Sequence, residues 1–259
     1  MTGQIEEKLL PVYGAGSIEV PFVIAFHQED VVAETHWPAH SHPTHELLWN
    51  AKGVSSVTVD SHIWTITPAI GMWIPAGVLH SGRAPAGSRC NMSHFGVTRV
   101  ESISETPVPV ELTQLLKLLL QKLSSPALAE SSRRITEATA LDNLLPAAQE
   151  VSIQVPKTAL LQPIINEMLH SYSKPRRLQD WATVLGVSAR TVTRAFQAET
   201  GHGYSRWISA MQAQRAIELI ARGEDLQNVA DDLGFSSISA LGASFRRTTG
   251  FTLSAFKPE

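Results

Sequence analysis

Residues 178–207 read LQDWATVLGVSARTVTRAFQAETGHGYSRW, and residues 226–256 read LQNVADDLGFSSISALGASFRRTTGFTLSAF. The two stretches are one pattern written twice. Each opens with Leu, three residues, Ala, two residues and Leu-Gly: Leu178, Ala182, Leu185 and Gly186, then Leu226, Ala230, Leu233 and Gly234. Each ends in a Phe, a Gly five positions on, and an aromatic residue six beyond that: Phe196, Gly201 and Trp207, then Phe245, Gly250 and Phe256. The second copy carries one extra residue between its first Gly and its Phe.

Each copy predicts a helix-turn-helix. Leu178, Ala182 and Leu185 fall at i, i+4 and i+7 on one face of a short helix, and the small Ala allows a second helix to come close. Gly186 stands where a left-handed C-terminal cap belongs. Ser188 is placed to cap the next helix, whose inward face is Val192, Ala195 and Phe196. Its outward N-terminal residues are Ala189, Arg190, Thr193 and Arg194, a set that suits the DNA major groove, where Arg reads guanine through two hydrogen bonds. A helical hairpin in an ordinary bundle would leave the same trace once. Two copies in register, joined by a helical run over residues 204–222, argue against that reading.

Residues 157–259 resemble the DNA-binding domain of the AraC/XylS transcription regulators. The likeness rests on GVSARTVTRAFQAETG, the intervening QRAIELIARG and the closing LGFSSISALGASFRRTTGFT. It implies two helix-turn-helix units, held by a rigid linking helix, on successive major-groove segments of double-stranded DNA, with RNA polymerase as a further partner. By position, Ser188, Ala189, Arg190, Thr193 and Arg194 would serve the first reading helix. Ser237, Ile238, Ser239, Gly242 and Ala243 would serve the second, with Arg246 and Arg247 on phosphate. Many relatives carry polar or basic residues where this chain has Gly242 and Ala243, so the first unit is expected to supply most base-specific hydrogen bonds.

The 259 residues suggest about two domains, and 43% apolar content is enough for ordinary cores. Charge divides between the halves. Residues 1–155 hold 9 Lys/Arg against 15 Asp/Glu, and residues 156–259 hold 12 against 9. The basic half is the half with the repeats, as phosphate binding requires. Cys90 is the only cysteine, which excludes an intrachain disulfide framework. No run of eighteen apolar residues occurs and MTGQIEEKLL is no secretory signal, so no membrane and a cytoplasmic location are expected.

Residues 1–20, with Pro11, Gly14 and Gly16, predict a loose tail. Residues 21–100 predict a small β-barrel or sandwich: VPFVIAFHQ, HELLWNA, SSVTVDSHIWTI, GMWIPAG and RCNMSHFGV are short β-branched and aromatic runs between turn residues. Chemistry concentrates in HWPAHSHPTHELLWNAKG. His40 and His42 are two apart and share one strand face. Glu46 follows four later, and WIPAGVLH sets His80 behind a Pro-x-Gly turn. Three imidazoles and a carboxylate that converge would hold a divalent metal with positions left open. The spacing resembles the two cupin motifs, HxHxxxE followed by six residues and Gly (here Gly53), and PxGxxH. It departs where Glu34 and Ala84 replace the usual Gly and Asn, which bears on loop geometry more than on ligands. The same histidines would alternatively hydrogen-bond an organic effector. His45 is a substitute ligand expected on the opposite face; His36, His62 and His94 read as strand-edge or loop residues. Trp49, Trp64 and Trp73 are expected in the barrel core, with one available to line an effector pocket.

Residues 107–150 predict a helical region. Leu112, Leu115, Leu116, Leu119 and Leu123 make an apolar stripe, read as a homodimer seam in preference to packing on its own barrel. SIQVPK is expected as the hinge, residues 158–172 as the first helix of the second domain, and Lys174, Arg176 and Arg177 as phosphate contacts. The expectation is an α+β two-domain, non-enzymatic regulator under control of a small molecule or metal ion. The competing readings are a metal-dependent cupin enzyme with an accessory DNA-binding domain, for which no further acid, base or nucleophile motif is present, and a structural DNA-binding protein without an effector.

Overall fold

The structure, a computed structural model, describes residues 5–170 and 175–257. Lys174 lies outside the described residues. Contacts divide the chain into two compact units, Met1–Asp60 with Trp64–Glu150, and Ser61–Ile63 with Val151–Glu259.

The first unit contains β1 (Glu6–Glu7), β2 (Ile24–Asp30), β3 (Thr35–His40), β4 (His45–Lys52), β5 (Ser55–Val59), β6 (His62–Ile66) from Trp64 onward, β7 (Ile70–Ile74), β8 (His80–Ala84), β9 (Arg89–Phe95) and β10 (Val108–Glu111). In one sheet β1, β3, β8, β5 and β6 follow one another, and the other runs β10-β7-β4-β9-β2. Strand β4 shows why its sequence is almost entirely buried. Its alternate residues serve two cores, because side chains two apart share a face. Leu48 packs inward with Val57, Ile66, Met72 and Ile74 between the sheets. Leu47 and Trp49 point the other way, with Ile24, Trp73 and Phe95, under a helical layer.

That layer is α1 (Gln114–Lys122) and α2 (Glu130–Asp142). Thr113 caps α1 by accepting from Leu116 N–H. The leucine stripe is the layer's buried side, which corrects the dimer-seam expectation. Leu112 is 4% exposed, Leu116 0% and Leu123 4%, all in the core under the helices, and Leu119 packs against that core. Leu115 stands outward at 51%. The sheet offers a larger apolar face to Leu116, Leu120 and Leu123, at i, i+4 and i+7, than solvent does.

The amino-terminal segment is not loose over the described residues. Glu6 N–H donates to Glu34 O (2.8 Å), Lys8 N–H to His36 O (2.9 Å) and Gly16 N–H to Pro43 O (2.8 Å). Sheet edges present unpaired backbone groups, and this segment satisfies those of β3. Strands β8 and β10 also went beyond the sequence reading; β10 pairs antiparallel with β7 although it lies past residue 100. Strand β3 ends at His40, so His42, expected on the same strand face, stands in the connection that follows.

The second unit holds β11 (Ser152–Gln154), α3 (Gln162–His170), α4 (Leu178–Val184), α5 (Ala189–Thr200), α6 (Tyr204–Ala221), α7 (Leu226–Asp232), α8 (Ile238–Thr249) and a closing 3-10 turn, Leu253–Phe256. The expected hinge is part of this unit. Ile153 is buried in its core, and Trp207 Nε1 donates to Gln154 O at 2.8 Å. The two repeats fold alike. Gly186 (φ 66°) and Gly234 (φ 77°) take the left-handed conformation after α4 and α7. The next N–H then reaches back in each case, Val187 to Ala182 O (3.0 Å) and Phe235 to Ala230 O (2.8 Å). Ser188 and Ser237 cap α5 and α8 by accepting from Thr191 and Ala240 N–H, both at 3.1 Å. Helix α6 buries Trp207, Ile208 and Met211 in the first repeat's core. Farther along, Gln212 Nε2 donates to the terminal carbonyl of Leu233 at 2.9 Å, tying α6 to the second repeat.

Candidate functional site

Two sites follow, one inside the first unit and one on the surface of the second. The first is a cavity of about 300 Å³ between the sheets. His40 reaches it from the end of β3, His80 from the start of β8, Glu46 from β4, and His42 from the connection between β3 and β4. One ligand atom from each of His40, His42 and His80 lies within 4.8 Å of the others. Glu46 Oε2 is 3.3 Å from His80 Nε2 and 3.5 Å from His42 Nε2. The four residues expected from the spacing therefore converge.

The backbone sets their chemistry. His40 Nδ1 donates to Pro38 O (2.7 Å) and His80 Nδ1 to Val78 O (2.9 Å). A carbonyl can only accept, so both rings keep an Nε2 lone pair when neutral, the arrangement that second-shell partners give metal-bound histidines. The His80 lone pair then faces a buried carboxylate oxygen that has no hydrogen-bond partner. That opposition is relieved by a second proton on His80 or by a cation between the groups. Burial would push the Glu46 carboxyl up, but the surrounding His80, His94 and His42 hold it at about 2. Burial lowers His42 to about 4 despite the pull of Glu46, and lowers His40. Burial also opposes the charged form of His80, yet Glu46 raises it. A carboxylate with imidazole nitrogens turned toward it is a donor set that fits a divalent ion.

His94 is the residue that sequence reasoning missed. It lies opposite Glu46 in the β4–β9 ladder, lines the cavity, and its Nε2 is 3.9 Å from Glu46 Oε1. The alternation of Cys90, Met92 and His94 was visible, but the register that aims the set at Glu46 was not. His45 points to the opposite face as expected, stacking on Trp73 at 5.4 Å and accepting from Ala76 N–H at 3.0 Å. His36 sits at the edge, 3.6 Å from Glu7. Trp73 is core; Trp64 is only half-buried, its indole donating to Glu150 (3.0 Å). Trp37, unremarked in the sequence, forms a cavity wall, along with Leu10 and Lys8 of the amino-terminal segment. Burial pushes the Cys90 thiol up to about 12, so it stands as the neutral thiol at neutral pH.

On the second unit, Val192 and Phe196 face the core and Arg190 and Arg194 stand exposed on α5. Neither arginine has a partner among the described residues. Alignment on the capping serines places Ala189, Arg190, Thr193 and Arg194 opposite Ile238, Ser239, Gly242 and Ala243 of α8. Ile238, Ser239 and Ala243 are exposed; Gly242 is half-buried, with Leu253 at 3.8 Å from where a Cβ would stand. Arg246 and Arg247 lie exposed on the last turns of α8. Arg176 is engaged internally: it pairs with Glu167 at 3.0 Å and covers the Trp181 ring at 5.2 Å.

Residues 23–145 match the family described as AraC-like ligand binding domain, and residues 181–258 match a helix-turn-helix domain family. The chain is 24% identical over 221 residues to the HTH-type transcriptional regulator NimR of Escherichia coli, covering 83% of this chain and 80% of that protein. It is 40% identical over 79 residues to the HTH-type transcriptional regulator RipA of Corynebacterium glutamicum, covering 30% of this chain and 24% of that one. A solved structure of ToxT from Vibrio cholerae aligns over 90% of this chain and 98% of that chain, at 10% identity and a TM-score of 0.36.

Proposed function

From a chain that belongs to the AraC-type transcription regulators and carries an N-terminal ligand-binding domain, we propose a regulator whose DNA binding answers to a divalent metal ion in the sensor cavity. The observation that carries this is the buried carboxylate of Glu46 set against the inward-facing imidazoles of His40, His42 and His80. The ion would be held by those four residues and would supply a Lewis-acidic position open to the cavity. Arg190 and Arg194 are the side chains for guanine edges, with Ser188, Ala189 and Thr193 beside them. Ile238, Ser239, Gly242 and Ala243 make the apolar and small-residue contacts of the second unit, with Arg246 and Arg247 on phosphate. The chain acts as a homodimer on paired half-sites; with the leucine stripe buried, the exposed Leu115 and Leu118 are what α1 offers a partner. An ion alters DNA affinity only through unequal affinity for the DNA-competent and incompetent states.

The test joins metal content to operator binding. The full chain, purified and exposed to Zn²⁺, Mn²⁺, Fe²⁺ or Ni²⁺, is expected to retain about one ion per chain, and a His40→Ala/His42→Ala variant almost none. Chelation should shift the affinity for an operator selected from random duplexes. Parent and variant equally metal-free would overturn the metal reading, while metal retention with unchanged DNA affinity would overturn its role in control.

A further inference from the structure

The cavity is far larger than an ion requires. Its 300 Å³ is at the lower end of the range for small-molecule sites, roughly 300–1,000 Å³, and exceeds the single open position of a four-ligand ion. Its walls are mostly apolar: Leu10, Trp37, Leu48, Ile66 and Met92. A chamber of this size, with apolar walls and a few polar side chains turned into it, is the form of an organic-ligand site.

Charge selects the ligand. The cavity's acidic and basic side chains away from the histidines are already paired, Lys8 with Glu29 and Arg83 with Glu34. A divalent ion on Glu46 and three neutral imidazoles carries one excess positive charge in a buried space. Burial of an unpaired charge is costly, so the complement is a single negative charge. His94 adds direction. It lies outside the group of three ligand histidines. Its Nδ1 is 3.2 Å from Thr44 Oγ1 and its Nε2 faces Glu46 Oε1 at 3.9 Å, which favours the tautomer with hydrogen on Nε2. The ring therefore presents a donor at the edge of the metal site and remains partly open to the cavity.

We propose that the effector is a small organic monoanion, a carboxylate on an apolar body. One oxygen takes the open position on the metal, another accepts from His94 Nε2, and the body rests on Trp37, Leu48, Ile66 and Met92. The inference rests on the metal reading above. The carboxylate binds in place of water and no covalent bond is made.

The experiment is calorimetric titration of the full chain, zinc-loaded and chelated, with benzoate, acetate and the neutral isostere benzamide. Benzoate is expected to bind the zinc form, acetate more weakly and benzamide at least about tenfold more weakly than benzoate. Chelation should abolish benzoate binding. His94→Phe should weaken it about tenfold with zinc content unchanged, since an ionic hydrogen bond is lost, and His94→Gln, which keeps a donor, should recover part. In the cobalt-loaded protein, benzoate should shift the visible d–d bands. Equal binding of benzamide, benzoate binding without metal, or no binding of either anion to a zinc-loaded chain would overturn this inference and leave the metal site standing. A chain that takes up no metal would overturn both.

Discussion

Replacing Arg194 by Ala separates a reading helix from an ordinary surface helix. Arg194 is exposed on α5 and has no hydrogen bond or ion pair among the described residues, so stability should change by less than about 0.5 kcal/mol. Its effect should fall on DNA. One bidentate contact to guanine contributes about 1–3 kcal/mol of discrimination, roughly 5- to 140-fold at a tenfold change per 1.4 kcal/mol. Arg190 stands four residues earlier, ~6 Å along the helix at 1.5 Å per residue. Base pairs are ~3.4 Å apart, so the positions read by Arg190 and Arg194 should lie about two base pairs from each other. The assay is fluorescence anisotropy of the full chain on its selected operator and on a set of duplexes substituted one pair at a time. Arg194→Ala should lose preference at one position, and Arg190→Ala at a second about two pairs away. Arg246→Ala should weaken all duplexes alike and lower the salt dependence by about one counterion. A uniform loss from Arg194→Ala, or no loss, would show that α5 does not read bases through this residue.

Two further outcomes test the packing of each unit. Leu116→Ala should cost about 2–5 kcal/mol in urea unfolding, because its side chain is wholly buried, whereas Leu115→Ala, half exposed, should cost under about 1 kcal/mol; a near-neutral Leu116→Ala that instead dissociates a dimer would restore the seam. Burial raises Tyr204 to about 12, and its hydroxyl donates to Arg176 O at 2.6 Å. The unfolded chain loses this proton first, near pH 10, so the folded state binds more protons between about pH 10 and 12. Stability should therefore fall as pH rises through that window, by up to about 3 kcal/mol. Tyr204→Phe should remove this alkaline component, and a pH–stability slope identical to the parent's would refute the assignment.

The second unit was legible because its signals are local. Gly186, Ser188, Gly234 and Ser237 fix turns and caps through neighbours within a few residues, and duplication doubled each signal. The cluster in the first unit was legible for a related reason: His40, His42 and Glu46 fall on or beside two strands that are consecutive in the chain, and His80 follows a turn marked by Pro75 and Gly77. What the tertiary structure alone decided depends on register and layering. His94 enters the site only because β9 pairs with β4 so that it faces Glu46. Trp37 and Leu10 become cavity walls only when β3 and the amino-terminal segment are placed. Leu112, Leu116 and Leu123 carry the same periodicity whether they face a second chain or their own sheet. A helical stripe records that a face is buried and not what buries it, and here the sheet of β4, β7 and β9 does.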